Sequence, residues 1–479
     1  MPVKSKKVFL FLFILITKLI WILFINNHFK SKSSIGYFIA ISGADTHSYI
    51  QPIENYIETG NYGMMLGEFT PFQNHTEEVF YPTIRTPHYG ILYFLFRIFF
   101  TQQWSFELLA FLQLIVEVFA ILAFSSLIYD RTHNKRAYYL GLFFLTFSTW
   151  VTFYASEIMT ESLTCSFIIF SLYFFNAWLR KKKNTSLLLT GFFMSYAILM
   201  KPFLIPWLIC FFISILLTSS SFKVILKNLL VFSTSFLILL APWIIRNYRA
   251  TGEIIVFTKP MFYPCKKLVR SCTDFITAWG GDAIWWEGKC KTAGTYFFQT
   301  DVNENCEYKF PDYVFTVDYN LADFKELRNQ IAIFQSNTSN DSMDFAISSR
   351  FEMMKESFIK NRPVVYYVIT PFLRMKSAFF KSGSYYINGT NLPLKAIKIL
   401  QTILYWLPLF FGTLGLLIFG FRHIKNPFNL VLAGLPVCLI VTLAFIIKVN
   451  EWRYFIHLYP ILIFFMIQFY LEIKNKLIR

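Results

Sequence analysis

Long apolar stretches separated by short basic connectors set the pattern of this chain. The first is VFLFLFILITKLIWILFIN, residues 8–26, and a helix of about 20 residues crosses a hydrocarbon core about 30 Å thick. Others follow at 104–128, 137–153, 162–179, 186–200, 202–218 and 228–245, with three more at 397–420, 428–448 and 453–472. Residues 27–103 form a long loop between the first two stretches. Within it, DTHSYIQPIENYIETG predicts a short amphipathic helix ended by Gly60. YGILYFLFRIFF, residues 89–100, is apolar but short and carries Arg97, so it is expected to lie in the interface rather than to span. Residues 247–390 are polar and mixed, and form the one region expected to fold outside a membrane.

The pattern predicts an all-α polytopic membrane protein with about ten transmembrane helices. Juxtamembrane helices are expected in the first outer loop, and a small extracytoplasmic region of α or α+β type. The expected division is 1–250, a transmembrane catalytic module that includes the loop 27–103; 251–392, the extracytoplasmic region; and 393–479, a three-helix transmembrane part.

Composition agrees. Only 15% of the 479 residues are charged and 55% are hydrophobic, with a mean hydropathy of +0.47, whereas soluble proteins carry roughly 25% charged residues. The net charge of +17 does not point to nucleic acid, because the basic residues sit in connectors between apolar stretches. MPVKSKK, DRTHNKR, RKKKNTS, SSSFKVILKN, FRHIKN and KNKLIR all fall on one side if 89–100 does not cross, as the positive-inside rule requires. The N-terminal stretch lacks a small-residue cleavage site and is expected to stay uncleaved. Both termini are therefore expected in the cytoplasm, with the loops bearing Asp45 and Glu161 outside, in a bacterial inner or plasma membrane. Lys18, inside the first stretch, is expected to face the bundle or snorkel.

Cys265, Cys272, Cys290 and Cys306 cluster in the polar region without a CxxC pair or a nearby histidine. Zinc is not expected there, and two disulfides of open pairing are. Trp279, Trp285 and Trp286 are expected in an interfacial belt. The sequons at Asn74, Asn337, Asn340 and Asn388 fall outside on this topology.

Asp45 precedes THSYIQ, where it would serve as a helix cap or as a base taking the proton of an attacking hydroxyl. Glu161, in ASEIMTES with Glu157 a turn earlier, opens a returning helix. If Asp45 and Glu161 meet, they can hold a divalent metal or share base and orienting roles. Arg85, Lys201, Arg246 and Arg453 all map to outer helix ends, against the positive-inside bias. A phosphate at the membrane surface explains such a ring, since guanidinium groups bind phosphate bidentately. Tyr49, His88 and Tyr89 are candidate sugar or acceptor contacts, whereas His47 and His75 have no assigned role. No Gly-rich phosphate loop, Ser/His/Asp signature or fixed-period repeat is present.

The order of these elements resembles the GT-C superfamily of integral-membrane glycosyltransferases, in the branch of the protein O-mannosyltransferases and the aminoarabinose transferase. The resemblance rests on Asp45 with Tyr49, Gly60 with Tyr62, Arg85 with Pro87, then Glu161, Lys201-Pro202, PWIIRNYRATG and the late RYFIHLYP, across residues 1–260 and 395–479. It implies transfer of a sugar from a polyprenyl-phosphate donor to an acceptor hydroxyl on the extracytoplasmic side. Asp45 would be the general base, Glu161 a second acid supporting it or a divalent metal, and Arg85, Lys201 and Arg246 the donor-phosphate ligands. Relatives carry Asp-Glu where this chain has Asp45-Thr46, a departure at the paired acid. The implied partners are the lipid-phosphate sugar, the bilayer and a glycan, lipid or protein acceptor. A polysaccharide polymerase or ligase would place its essential residues in the large outer region, and a transporter or lipid flippase would need charged mid-membrane helices. Beyond Lys18 and Glu117 the apolar stretches hold almost no charge.

Overall fold

A computed structural model describes residues 4–29, 38–43, 45–66, 79–219, 221–258, 266–285, 290–299, 308–336, 338, 340–380, 384, 387, 391–448 and 451–478. His75, Trp286, Cys265, Cys306, Asn74, Asn337 and Asn388 lie outside those residues. In chain order the elements are α1 (Lys4–Phe29), α2 (Thr46–Thr59), β1 (Met64–Leu66), β2 (Val79–Tyr81), α3 (Pro87–Arg97), α4 (Gln102–Thr132), α5 (Lys135–Phe147), α6 (Thr149–Ser156), α7 (Glu161–Lys181), α8 (Asn184–Met200), α9 (Trp207–Leu216) and α10 (Phe222–Thr251). Then come α11 (Lys267–Ala278), α12 (Ala293–Phe298), α13 (Leu321–Ser336), α14 (Asp341–Asn361), α15 (Thr370–Phe379), α16 (Leu392–Gly415), α17 (Pro427–Ile440) and α18 (Tyr459–Ile478). β1 and β2 pair antiparallel, Met65 opposite Phe80.

Among the described residues seven helices are long and apolar enough to cross a membrane: α1, α4, α7, α10, α16 and α17 with their π-turn extensions, and the segment Trp452–Lys476. The three remaining expected spans are shorter pieces, α5 with α6, α8, and Pro202–Leu216. Phe9, Ile20, Leu237, Ile238 and Ile446 stay exposed on these helices, as side chains that face acyl tails do. The chain is an all-α polytopic membrane protein.

The stretch 137–153, expected as one helix, breaks at Ser148, whose backbone turns extended between α5 and α6. Unpaired backbone groups inside a bilayer cost several kcal/mol each, and two side chains satisfy them here. The Lys18 ammonium donates to Leu145 O at 2.7 Å and Ser148 O at 3.2 Å. Gln401 on α16 accepts from Thr149 N at 2.9 Å and donates to Phe147 O at 3.0 Å. Lys18 also pairs with Glu117 at 2.8 Å. Elsewhere Gly412 and Gly415 let α16 lie directly on α18, where an added Cβ would strike the Leu462 and Phe465 carbonyls. Such small-residue contacts are how membrane helices approach closely.

A second core sits outside the bundle, built by α11–α14 around Phe275, Phe297, Phe324 and Phe351. The described part of this region contains helices and no strand. Trp279 is fully buried in that core and Trp285 packs on it, so burial in the folded region takes both from the expected belt. Cys272 is a buried free thiol of the same core, which overturns the expectation of two disulfides among the four cysteines. Cys290 is disulfide-bonded, to a partner outside the described residues. Arg374 ties the region to the bundle, donating to Ala444 O at 2.7 Å and to Thr277 O.

Two ends of the bundle differ in chemistry. At one end the basic connectors gather: Arg180 pairs with Asp130 at 2.6 Å and Arg131 lies over the Phe428 ring. The acids expected to act lie at the other.

Candidate functional site

The site starts where the chain leaves α1. Residue Ile41 forms a parallel bridge to the segment before α7, with Ile41 N bonded to Ser156 O at 2.8 Å and Ile158 N to Ile41 O at 2.9 Å. Two loops far apart in sequence are thus joined edge to edge. Glu107, in the first turns of α4, accepts from the N–H groups of Phe38, Ile39 and Ala40 and fixes the approach. Gly43 lets the two loops cross closely: an added Cβ would press on Glu157 Oε1 and lie 2.7 Å from Met159 Sδ. Thr46 Oγ1 accepts from Gly43 N at 2.8 Å and donates to Ile158 O at 3.0 Å.

Asp45 occupies the cap position of α2, yet its side chain makes no cap hydrogen bond. The carboxylate turns instead toward two guanidinium groups. Arg453 Nη2 lies 2.7 Å from Oδ2 and Arg85 Nη2 4.0 Å from Oδ1. Arg453 comes from the 3₁₀ turn Trp452–Leu458 that opens the last span; its Nε also contacts Glu451 Oε2 and lies 3.9 Å from Glu161 Oε1. Arg85 stands just before Pro87 of α3, with its Nε donating to Ser48 Oγ at 3.0 Å and its guanidinium 4.5 Å over the Tyr49 ring.

Beneath this half-exposed layer lies a buried one. Glu161 is the first residue of α7, where the helix N-terminus favours a carboxylate, and is fully buried. Lys201 sits where α8 stops short of Pro202, since a residue before proline is disfavoured in helical conformation, and its Nζ donates to Glu161 Oε1 at 2.7 Å. The Tyr454 ring lies 5.0 Å from Lys201 Nζ and 5.1 Å from the Arg453 guanidinium. Glu157, half-buried beside Gly43, has its carboxyl pushed up to about 8 by burial, then by the negative charges of Glu161 and Asp45. Four acids, Asp45, Glu157, Glu161 and Glu451, and three cations, Arg85, Lys201 and Arg453, therefore share one end of the bundle, graded from exposed to buried.

The other candidates take supporting positions. Tyr49 is buried, its hydroxyl 3.4 Å from Thr160 Oγ1, and its ring meets Tyr89 edge-on at 5.4 Å. Tyr89 donates to Gln113 Oε1 at 3.1 Å, and Gln113 Nε2 donates to Ala155 O and Glu157 O. His88 is buried against α8 and α10, its Nε2 3.2 Å from Leu239 O, and burial pushes it down to about 4. Arg246 is not brought to Asp45 by any described contact: it donates to the carbonyls of Tyr62 and Pro82, and Tyr62 in turn donates to Arg85 O at 2.9 Å. Its visible role is to hold the loop that carries Arg85. Glu157, Glu451 and Tyr454 were not among the expected site residues. Glu157 had a signal in ASEIMTES, an acid four residues before Glu161, whereas Glu451 and Tyr454 are placed only by the fold.

Among the described residues no three Asp, Glu, His or Cys side chains form a metal-ligand set. Asp45 and Glu161 each pair one oxygen with a cation at 2.7 Å. A cavity of about 300 Å³ lined by Phe38, Ile39, Gln103, Trp104, Glu107, Leu108 and Phe111 includes none of these acids or cations except the structural Glu107.

Neither models of known protein families nor curated protein sequences match the chain. Among solved structures, it matches the Archaeoglobus fulgidus oligosaccharyltransferase tethered with an acceptor peptide containing the NVT sequon, with a TM-score of 0.52 and 14% identity, over 99% of this chain and 50% of that one. The same archaeal protein in complex with Zn and sulfate matches at a TM-score of 0.52 and 14% identity, over 98% and 49%. The chain thus spans about half the length of the solved structures it matches. At this identity the likeness is one of fold alone.

Proposed function

We propose that the protein transfers a sugar from a polyprenyl-phosphate donor to an acceptor hydroxyl, on the extracytoplasmic face of a bacterial inner membrane, with both termini in the cytoplasm. The observation that carries this reading is the Asp45 carboxylate, which caps no helix and stands half-exposed between Arg453 and Arg85. Asp45 is the general base. Arg453 and Arg85 receive the donor phosphate, whose growing charge as leaving group is stabilised by fixed cations. A hydroxyl attacking opposite that phosphate inverts the anomeric carbon in one step.

Glu161 and Lys201 form the floor, Glu161 aligning Lys201 and Arg453 rather than exchanging protons itself. Tyr49 and Tyr89 brace the wall through which sugar or acceptor approaches, with His88 behind them, and Arg246 holds the Arg85 loop. No step is routed through a metal. The order of Asp45, Arg85, Glu161, Lys201 and RYFIHLYP supports the O-mannosyltransferase and aminoarabinose-transferase branch, and residues 251–392 are the part suited to select the acceptor.

The test is direct. Purified protein is incubated with a panel of polyprenyl-phosphate sugars, and release of free lipid phosphate is followed with the wild type and with Asp45→Asn. Turnover by the wild type, and turnover lower by about 10²–10⁴-fold in the variant, is expected; equal turnover in both removes Asp45 as the base.

A further inference from the structure

In this structure every cation expected to receive donor phosphate already has a protein partner. Lys201 is committed to the fully buried Glu161, whose charge would be left uncompensated without it. Arg246 is committed to loop carbonyls. Arg453 is different, because both it and Asp45 keep part of their side chains exposed, 19% and 30%. Its Nη2 holds Asp45 Oδ2 at 2.7 Å, and an oxygen engaged in that contact is not open to an acceptor hydroxyl. The other oxygen, Oδ1, faces Arg85. The base is covered by one of the groups that the leaving phosphate needs.

We propose that Arg453 couples donor binding to base release. In the resting protein it masks Asp45; a lipid phosphate drawn between Arg453 and Arg85 takes over the guanidinium and exposes Asp45 Oδ2. The inference rests on the donor reading given above. A phosphate offers several charged oxygens to two guanidinium groups, where Asp45 offers one close contact, so the exchange is favourable. Glu451 stays on Arg453 Nε, and the Tyr454 ring beside it limits how far the guanidinium moves. The hydroxyl oxygen then bonds to the anomeric carbon, the bond from that carbon to the phosphate oxygen breaks with its electron pair on the phosphate, and the hydroxyl proton passes to Asp45. Donor binding must precede productive acceptor binding, and Arg453 acts as a positioning residue for the base.

Binding of undecaprenyl phosphate, which carries no sugar and cannot react, separates the roles. It is measured in nanodiscs against undecaprenol as the uncharged control, for wild type, Asp45→Asn, Arg453→Ala and the double variant. Removing the competing carboxylate should tighten phosphate binding about twofold to fivefold, the scale of a partly exposed ion pair. Arg453→Ala should weaken it, and Asp45→Asn should add nothing in that background. Asp45 caps no helix, so its variants are expected to keep the wild-type melting temperature, and Asp45→Ala carries the same expectation as a second variant. Affinity unchanged or weakened in the Asp45 variants, or tightened equally without Arg453, overturns the coupling. A wild type that binds the phosphate no better than the alcohol overturns the donor reading beneath it.

Discussion

Arg453 Nη2 and Asp45 Oδ2 lie 2.7 Å apart, joining the turn before the last span to the loop after the first. The contact draws the two ends of the chain into one site and fixes the orientation of a carboxylate that its own helix leaves unused. The first expectation follows from it. Asp45→Asn keeps the shape but loses the proton acceptor, and a positioned base contributes about 10²–10⁴-fold. Lipid-phosphate release should fall by that range with expression and melting temperature unchanged.

The Glu161–Lys201 pair makes a different prediction. Both groups are buried, so removing one leaves the other charged without solvent, at a cost of about 3–5 kcal/mol. Glu161→Gln alone should lower the melting temperature in detergent more than the double change Glu161→Gln with Lys201→Met. A double variant less stable than the single one would contradict this account.

Glu157 gives the pH dependence. Its carboxyl is raised from 4.5 to about 8 in the folded protein, so between those values the folded state holds a proton that the unfolded chain has released. Stability then falls as pH rises through this window and levels off above it. Glu157→Gln should flatten that part of the melting-temperature profile, and an unchanged slope between pH 5 and 8 would assign the effect elsewhere.

Gly43→Ala places a methyl against Glu157 and Met159. The ends of the Glu157 and Met159 side chains must move aside, or the loop shifts and Asp45 with it. Because a misplacement of about 1 Å costs on the order of 10²-fold, turnover should drop while the melting temperature changes little; wild-type turnover would show that the loop yields at no cost.

Much of this was legible in the sequence, for identifiable reasons. Apolar length and basic connectors set out the spans and gathered the basic turns at one end. Gly60 ended α2 as expected, in the left-handed conformation. Asp45, Arg85, Glu161, Lys201 and Arg453 meet because each stands near a helix end on the same face of the bundle. The break at Ser148 was hidden, since an apolar run does not reveal where its hydrogen-bond ladder is interrupted by partners 127 to 254 residues away. The role of Arg246 was also hidden, because a guanidinium that serves carbonyls and one that serves phosphate look alike in sequence. The cysteines misled through count: four in one region suggested two pairs, but Cys272 is held in an apolar core where a thiol packs as a small hydrophobe.

The Lys18 contacts reach into how the protein is made. During synthesis α1 emerges with an ammonium whose partners, Glu117 and the carbonyls around Ser148, have yet to leave the ribosome. A lone lysine at mid-helix costs about 2.5–3.5 kcal/mol to insert, so α1 should settle only when α4 arrives. Chains truncated before residue 117 should therefore extract from membranes more readily than chains that include α6.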